Sequence, residues 1–361
     1  MKLAIYTICK NEERFVERFM ESVQEADDVY VTDTGSTDAT VEKLLDYGAH
    51  VTEAIVNPWR FDVARNISLA YVPLDVDVCF SVDLDETLTP GWCDAIKRSF
   101  INIDRLKYKY VWSHLPDGSP GTMFWYEKCH SRHGFRWVKP VHEILAFYNG
   151  VERQGFCEDF VLHHYPDHTK SRGSYLGLLE LSTREEPNDD RNSHYLGREY
   201  MYRGMYDQSI AELKRHLSLS TARWEAERAA SMRFIGRCYL AKNEPIEAER
   251  WFQRALAEWP VDREPWFELG KFYYHRQDHL GCYHAMTRAL KINERPLSYI
   301  SDPEAWGATP YDLAGVSAYY LGLYDESIKL TSEALRLVPN DPRLLKNLQY
   351  AQEKIRSAHV A

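Results

Sequence analysis

Two aspartates separated by one residue are the strongest sign of chemistry in this sequence. Asp83 and Asp85 follow an apolar run at 76–82 that has the character of a buried strand. Alternation along an extended chain would send both carboxylates to the same side. Carboxylate oxygens suit Mg²⁺ and Mn²⁺, which also bind phosphate oxygens. The pair therefore predicts a divalent metal site at a strand end. The alternative is a solvated acidic turn in which Glu86 helps to cap the next helix.

The elements that must position these carboxylates lie in the first hundred residues, where strand and helix patterns alternate. Apolar runs predict strands at 3–8, 29–32, 51–56 and 76–82, and helical spacing predicts helices at 14–24, 38–47 and 62–71. This alternation predicts a mostly parallel sheet covered on both faces. Ligands of such sheets bind beyond the carboxyl ends of the strands, and Asp33 and Asp83 both occupy that kind of position.

From about residue 102 to 165 the sequence changes character, because aromatic residues alternate with lysines and arginines. The pattern predicts shorter, partly antiparallel strands. Two interpretations remain open for them. They form an edge sheet with aromatic cross-strand pairs, or they form a wall that binds an acceptor, since aromatic faces and cations suit sugars, phosphates and bases.

After about residue 170 the sequence becomes helical and repetitive. An apolar residue, a glycine and an aromatic residue recur together around Gly197, Gly236, Gly270 and Gly315. Gly236 and Gly270 are 34 residues apart, and this spacing resembles the period of tetratricopeptide repeats. Each helix pair has an apolar face that only a neighbouring pair can bury, so the pairs are expected to stack. We therefore predict an α/β domain at 1–170 and an all-α repeat domain at 171–361.

Composition excludes several classes of protein. Hydrophobic residues make up 44% and charged residues 27% of the 361 residues, which is typical of globular chains with a sizeable core. The net charge of −10 argues against nonspecific coating of nucleic acid, although it permits a local basic groove. No apolar run approaches the about 18 residues of a bilayer span. Seven scattered cysteines without a C-x-x-C pattern fit a reducing compartment, so a cytoplasmic location is expected.

Further motifs accompany the D-x-D pair in a fixed order: TICKNEE at 7–13, DTGSTD at 33–38 and WRFDVARN at 59–66. As a set they resemble the nucleotide-sugar half of family-2 glycosyltransferases, which have the Rossmann-like GT-A fold. KPVHE at 139–143 and LHHY at 162–165 resemble a subgroup with repeats behind the catalytic domain, although Pro140 stands where that subgroup has glycine. Peptide S-glycosyltransferases of bacteriocin pathways are similar in layout. The absent Q-x-x-R-W motif argues against processive synthesis.

The resemblance implies roles for individual residues. The nucleotide-sugar donor would be bound by Thr7, Asn11, Glu12, Asp33, Gly35, Asp62, Arg65, Asp83 and Lys170. The metal, Mn²⁺ or Mg²⁺, would be held by Asp83, Asp85 and His164. Glu143 is the expected base that takes the acceptor's proton, with Glu86 as the second candidate, and Asp85 is the other catalytic residue. The alternative for Glu143 is an ion pair with Arg136 or Lys139.

The function implied is metal-dependent, inverting transfer of a sugar from a nucleotide-linked donor, most simply a UDP-sugar. The acceptor stays open between a peptide or protein, a saccharide, and a hydroxylated DNA base. Helical repeats are expected to bind a partner or to associate with a second copy of the chain. The alternative function is a non-catalytic repeat scaffold whose nucleotide-sugar domain is vestigial.

Overall fold

The computed structural model describes residues 1–167, 169 and 173–360. Contacts divide the chain into two compact units. The first contains Met1–Glu185 and Leu297–Tyr299, and the second contains Glu186–Pro296 and the chain from Ile300 onward. The division falls after Glu185, later than the predicted change at 170, because the helix Gly173–Glu185 groups with the first unit. Among the described residues, no helix combines the length and apolar character needed to cross a membrane.

The first unit contains the predicted alternation of strands and helices. Its elements are β1 (Leu3–Cys9), α1 (Val16–Val23), β2 (Asp28–Asp33), α2 (Thr40–Asp46), β3 (His50–Glu53), α3 (Phe61–Tyr71), β4 (Val78–Ser81), β5 (Glu86–Leu88), α4 (Trp92–Ser99), β6 (Arg105–Val111), β7 (Met123–Ser131), β8 (Phe135–Val138), β9 (Ile144–Phe147), β10 (Gln154–His164) and α5 (Gly173–Glu185). Eight strands form one sheet in the order β3-β2-β1-β4-β7-β6-β10-β5, and β8 and β9 form a separate pair.

Strand β1 shows why the sheet is apolar on both faces. It lies between β2 and β4 and is parallel to both. Leu3 and Ile5 pack into one core cluster, and the alternating Ala4 and Tyr6 pack into a second cluster on the opposite face. A strand buried on both faces reads as a continuous apolar run, as this one does. The carboxyl ends of β1, β2 and β4 consequently meet at one edge, as predicted.

Strands β6 and β7 lie inside the sheet, so the first of the two interpretations, an edge sheet, is wrong about their position. β7 is antiparallel to both β4 and β6, and β6 is parallel to β10. The sheet extends past them because β10 and β5 add two further strands. Tyr108 and Tyr110 on β6 are consequently buried in the core. Trp112, just after β6, is 43% exposed.

A buried histidine on β7 is held in one protonation state by its partners. His130 Nε2 is 2.8 Å from the Tyr6 hydroxyl, and its Nδ1 is 2.8 Å from the carbonyl oxygen of Ser131. A carbonyl only accepts, so Nδ1 carries the proton and Nε2 accepts from Tyr6. The indole N–H of Trp137 donates to the same Tyr6 oxygen over 2.9 Å. Burial lowers the pKa of His130 from 6.5 to about 3, so the ring stays neutral in the folded chain.

This neutral ring predicts a pH dependence of stability. Because the unfolded chain binds a proton at His130 below about pH 6.5 and the folded chain does not, acidification favours unfolding until about pH 3. We expect His130 to remove about 2–3 kcal/mol of the free energy of unfolding between pH 6.5 and 4.5, at about 1.4 kcal/mol per pH unit. Urea denaturation of the wild type and His130→Gln over this range measures it. Parallel pH profiles for the two proteins would contradict the prediction.

The second unit is helical and has the predicted pairs. Its helices are α6 (Asp190–Tyr202), α7 (Tyr206–Ser218), α8 (Glu225–Ala241), α9 (Pro245–Glu258), α10 (Arg263–His275), α11 (His279–Ala289), α12 (Pro303–Trp306), α13 (Thr309–Tyr320), α14 (Tyr324–Leu337) and α15 (Pro342–Val360). Four pairs of consecutive helices, α6/α7, α8/α9, α10/α11 and α13/α14, contain the recurrent glycine in their first helix. The repeat prediction is confirmed.

The recurrent glycine lets the two helices of a pair approach closely. A Cβ at Gly236 would lie 2.5 Å from the Phe252 ring, far inside van der Waals contact. In all four pairs the facing residue lies sixteen positions further along the chain: Gly197 faces Leu213, Gly236 faces Phe252, Gly270 faces Met286 and Gly315 faces Thr331. The sequence signal is therefore a packing requirement.

We expect Gly236→Ala to destabilise the helical unit although alanine is the better helix former. The added methyl group overpacks the contact with Phe252 at a cost of about 1–3 kcal/mol, against a gain of about 1 kcal/mol in helix propensity. Gly177→Ala is the matched control, because a Cβ at this exposed position of α5 meets nothing within 4 Å. Urea denaturation followed by far-UV circular dichroism compares them. Equal midpoints for the two variants would refute the packing explanation.

Candidate active site

The D-x-D pair lies in a tight turn and not on an extended strand. β4 ends at Ser81, and the backbone N–H of Glu86 donates to the carbonyl oxygen of Asp83 over 2.9 Å. The N–H of Asp83 in turn donates to Oε2 of Glu86 over 2.8 Å. The chain from Asp83 to Glu86 is therefore turned, and the extended strand assumed for Asp83 and Asp85 is wrong.

Asp83 is bound by two cations. Its Oδ1 accepts from Nη1 of Arg65 over 2.8 Å, and its Oδ2 accepts from Nη2 of Arg65 and from Nζ of Lys128, each over 3.0 Å. Both cationic side chains are nearly fully buried. Burial alone would raise the pKa of Asp83, but the adjacent guanidinium and ammonium groups hold it far below its usual value. Asp83 is thus ionised and bound by both cations.

Arg65 connects three separate parts of the first unit. Besides Asp83, it donates from Nε to Oε1 of Glu143 over 2.5 Å and from Nη1 to the hydroxyl of Ser81 over 3.2 Å. Its guanidinium lies 5.1 Å from the ring centre of Trp137. Glu143 therefore forms its ion pair with Arg65. The alternative partners, Arg136 and Lys139, are wrong, because β8 and the chain after it carry Glu143 back to helix α3.

Glu86 supports the turn from the inside. It is 1% exposed, and its Oε1 accepts from the hydroxyl of Tyr110 over 2.7 Å. Burial raises the pKa of Glu86. The helix that follows, α4, is capped from elsewhere: Glu25 accepts from the N–H groups of Gly91 and Cys93 over 2.7 and 3.0 Å. The prediction that Glu86 helps to cap this helix is wrong.

Asp85 faces a histidine at the end of β10. Its Oδ2 lies 3.3 Å from Nε2 of His164, while Nδ1 of that ring lies 3.0 Å from the carbonyl oxygen of Trp112. The carbonyl can only accept, so Nδ1 carries a proton and Nε2 is the atom presented to Asp85. Trp112 stacks on the same ring at 4.4 Å between centroids. His163 points elsewhere, with Nδ1 3.0 Å from Nε2 of His114, as strand alternation predicts.

The three predicted metal ligands do not form one cluster. Asp85 and His164 are adjacent, whereas Asp83 is engaged by Arg65 and Lys128. All three residues are described, and their ligand atoms do not all lie within 4.8 Å of one another. The atoms that could bind a cation at this edge of the sheet are therefore a carboxylate oxygen of Asp85 and Nε2 of His164.

The loops after β1 and β2 are joined by hydrogen bonds. Asp33 is 3% exposed, and its side chain accepts from the N–H groups of Gly35 and Ser36 and from the Ser36 hydroxyl. Gly35 has φ +104°, a conformation that favours glycine at this turn. Asn11 donates its N–H to the Ser36 hydroxyl over 2.9 Å, and its side chain accepts from the N–H of Thr37 over 2.7 Å. The DTGSTD motif therefore maintains a shaped loop.

The remaining predicted donor-binding residues lie at the same carboxyl ends or close to them in the chain. Thr7 is buried near the end of β1, with its hydroxyl 3.5 Å from Asp83. The N–H of Glu12 donates to the Thr40 hydroxyl over 2.7 Å. At the start of α3, Asp62 accepts two hydrogen bonds from Arg60 over 3.0 and 2.9 Å. Lys170 lies outside the described residues.

Lys128 is the part of the site that the sequence did not single out. It occurs in the same alternation of lysines and aromatic residues as Lys107 and Lys109, which are partly exposed. Only the pairing of β7 with β4 and β6 brings its ammonium group to Asp83. In the sequence, Lys128 is marked only by its position in a strand rich in aromatic residues. The other lysines of this segment share that feature, so it does not distinguish Lys128 from them.

Residues 4–137 match the model of glycosyl transferase family 2. They form a family 2 glycosyltransferase domain. An uncharacterized glycosyltransferase of Rickettsia bellii (strain RML369-C) is 33% identical over 134 residues, which are 36% of this chain and 44% of that relative. The lipopolysaccharide core biosynthesis glycosyltransferase LpsC of Rhizobium meliloti (strain 1021) is 31% identical over 91 residues, or 24% of this chain and 33% of the relative. The chain spans less than half the length of these curated relatives.

Two solved structures are also similar to part of this chain. The crystal structure of MamA shares 21% identity with a TM-score of 0.37, covering 46% of this chain and 89% of that one. A TPR repeat-containing protein from Cytophaga hutchinsonii shares 14% identity with a TM-score of 0.40, covering 49% of this chain and 63% of that one. The repeat architecture described above rests on the helix pairs and glycine contacts of the second unit itself.

Proposed function

We propose that the protein is a metal-dependent, inverting glycosyltransferase that uses a nucleotide-sugar donor, most simply a UDP-sugar. The observation that carries the proposal is the Asp85–His164 pair at the edge of a family 2 glycosyltransferase domain, beside a second aspartate already engaged by two cations. The pair is partly accessible, since 26% of the Asp85 side chain is exposed. It is a suitable place for a divalent cation and for the diphosphate of a donor.

The two side chains fit a divalent cation. His164 donates Nδ1–H to a carbonyl, the outer-shell contact that fixes a ligand histidine with Nε2 free to bind. Asp85 supplies a carboxylate oxygen beside that nitrogen. When bound there, the cation would neutralise the negative charge that develops on the nucleoside diphosphate as the bond to the sugar breaks. The imidazole ligand favours Mn²⁺ over Mg²⁺, because Mg²⁺ prefers oxygen ligands alone.

The donor's nucleoside and phosphates would contact the loops at the same edge. We assign the nucleoside to the loop that Asp33 shapes, together with Thr7, Asn11, Glu12 and Gly35 (see the hydrogen bonds above). Asp62 and Arg65 at the start of α3 would lie beside the base and diphosphate, with Lys170 on the phosphates. Asp83 would contact the ribose while Arg65 and Lys128 hold it in place.

Glu143 is the proposed base that accepts the proton of the acceptor nucleophile. Its side chain is 11% exposed. The guanidinium group of Arg65 lies between Glu143 and Asp83 and binds both carboxylates. Glu86 is a poorer candidate than the sequence implied, because its two oxygens already accept from Tyr110 and from the Asp83 amide in the core. An inverting transfer needs one such base and no covalent intermediate on the protein.

The acceptor is proposed by class. The name of the Rhizobium relative, a lipopolysaccharide core biosynthesis glycosyltransferase, favours a saccharide as the first acceptor to test. A peptide or protein is the second class, because helical repeats present stacked surfaces that suit polypeptide partners or a second copy of the chain. A hydroxylated DNA base is the third, and the net charge of −10 makes it the least favoured.

Hydrolysis of the donor without an acceptor tests the proposal. The purified protein is incubated with UDP-, GDP- and TDP-sugars in the presence of Mn²⁺, Mg²⁺ or EDTA, and both nucleotide release and nucleotide binding are measured. Release from one donor, abolished by EDTA, is the expected result. If no nucleotide binds with either metal, the transferase proposal fails, and the chain is better described as a repeat scaffold.

A further inference from the structure

Three side chains with metal-binding atoms meet in the helical unit, and none of them is a residue named for glycosyl transfer. Asp190 begins α6, His216 lies in the last turn of α7, and Glu227 lies in the first turn of α8. One ligand atom from each lies within 4.8 Å of the other two. His216 is fully buried and Glu227 is 3% exposed, whereas Asp190 is partly exposed. Three consecutive helices thus converge on one point that is accessible from the Asp190 side.

The contact between His216 and Glu227 is close but is not a hydrogen bond. Nε2 of His216 lies 3.3 Å from Oε1 of Glu227, yet this nitrogen has no hydrogen-bond partner among the residues that the structure describes. A buried ring nitrogen that is left unbonded beside a carboxylate is costly. Two atoms that approach each other in this way can both face a third atom, as neighbouring ligands of a metal ion do.

The opposite edge of the His216 ring is hydrogen-bonded to a serine hydroxyl that also contacts a second histidine. Nδ1 lies 3.0 Å from the hydroxyl of Ser231, and the same hydroxyl lies 2.7 Å from Nδ1 of His194. A hydroxyl has one proton to donate. When Ser231 donates it to His194, His216 carries its own proton on Nδ1 and donates it to Ser231. In that arrangement Nε2 of His216 presents a lone pair toward Asp190 and Glu227.

The charges of the three ligand groups also suit a cation. Two carboxylates and one imidazole occupy the cluster, and carboxylates that share a buried site repel each other. A divalent ion would neutralise both carboxylates at once.

We propose that Asp190, His216 and Glu227 form a structural site for a divalent transition-metal ion of the Zn²⁺ class. One imidazole nitrogen and two carboxylate oxygens are a Zn²⁺ ligand set, whereas Mg²⁺ and Ca²⁺ favour oxygen alone. The ion would link α6, α7 and α8, the first three helices of the second unit, and would stabilise them against unfolding. The proposal is independent of glycosyl transfer, because none of its ligands belongs to the catalytic domain.

Zinc titration of the full chain in an Asp85→Asn background tests the site without a contribution from the proposed catalytic metal. We expect calorimetry to show one Zn²⁺ bound per chain and a rise in thermal midpoint on addition of Zn²⁺. Adding Asp190→Asn is expected to weaken Zn²⁺ binding by at least about tenfold and to remove most of the rise in midpoint. Asp207→Asn is the matched control, since Asp207 is an exposed acidic residue in the first turn of α7.

His216→Gln provides a second variant with a different ligand removed. We expect it to lose Zn²⁺ binding as Asp190→Asn does, and Asp190→Asn decides the question if the buried replacement fails to fold. Zinc affinity that is the same in the Asp190→Asn and Asp207→Asn proteins would overturn the proposal. Donor hydrolysis plays no part in these measurements, so failure of this site and failure of the proposed transferase are distinguishable.

Discussion

Replacing Asp85 with asparagine is expected to reduce metal-stimulated release of nucleotide from the donor by about 10²–10³-fold, the range seen when one preorganised group that stabilises transition-state charge is removed. The substitution does not change the size of the side chain. It also retains the backbone hydrogen bond that the N–H of Tyr165 donates to the carbonyl oxygen of residue 85. It removes the charge beside His164 that would bind the cation. Initial rates at saturating donor, with Mn²⁺ and with EDTA, measure the effect.

Asp94→Asn is the control for this experiment. Asp94 is an exposed acidic residue in the first turn of α4, and its replacement is expected to leave the rate unchanged within about twofold. The EDTA rates should be similar in all three proteins, because Asp85 acts through the cation. A rate for Asp85→Asn within a few-fold of the wild type would show that the pair with His164 is structural.

Replacing Arg65 with methionine is expected to lower the free energy of unfolding by about 3–5 kcal/mol, the cost of breaking a buried ion pair from one side. Methionine retains most of the side-chain volume but leaves two carboxylates without their shared cation. The site is largely desolvated, since the side chains of Arg65 and Glu143 are 6% and 11% exposed. Lys128 still faces Asp83, so the loss falls most heavily on Glu143.

An exposed pair provides the comparison for Arg65. Arg98 and Asp159 lie 3.2 Å apart, and both side chains are more than 60% exposed. Arg98→Met is therefore expected to cost less than about 1 kcal/mol. Arg65→Lys should fall between the two, because one ammonium group cannot reproduce a fork of donors to two carboxylates. Urea denaturation of the three variants gives the order, and a cost for Arg65→Met similar to that for Arg98→Met would contradict the buried-pair description.

The elements could be predicted from the sequence better than the site. The alternation of apolar runs and helical spacing in the first hundred residues, and the glycine punctuation of the second half, correspond to local preferences that neighbouring residues determine. These predictions are confirmed. The place of β6 and β7 inside the sheet could not be predicted, because strand order depends on which distant strands pair with each other.

The ion pairs of the site could not be predicted for the same physical reason. Asp83 and Arg65 are 18 residues apart, Asp83 and Lys128 are 45 apart, and Arg65 and Glu143 are 78 apart. Each contact requires the sheet to be assembled first. The turn at 83–86 was misread for a different reason: a long-range hydrogen bond from Tyr110 to Glu86 helps to hold it, and strand alternation carries no information on that bond.

The glycine contacts of the helical unit have a consequence for how such a repeat can diverge. In each of the four contacts the residue of the first helix is glycine, whereas the residue sixteen positions later differs: it is leucine, phenylalanine, methionine or threonine. Substitutions are therefore expected at the facing position of the second helix. A side chain at the glycine position is tolerated only after the facing residue has been replaced by a smaller one. Gly236→Ala made first places a methyl group against the Phe252 ring. A smaller residue at 252 made first leaves a cavity, which the alanine methyl group can then occupy. The order in which the two substitutions accumulate is thus constrained, and each repeat carries its own version of that constraint.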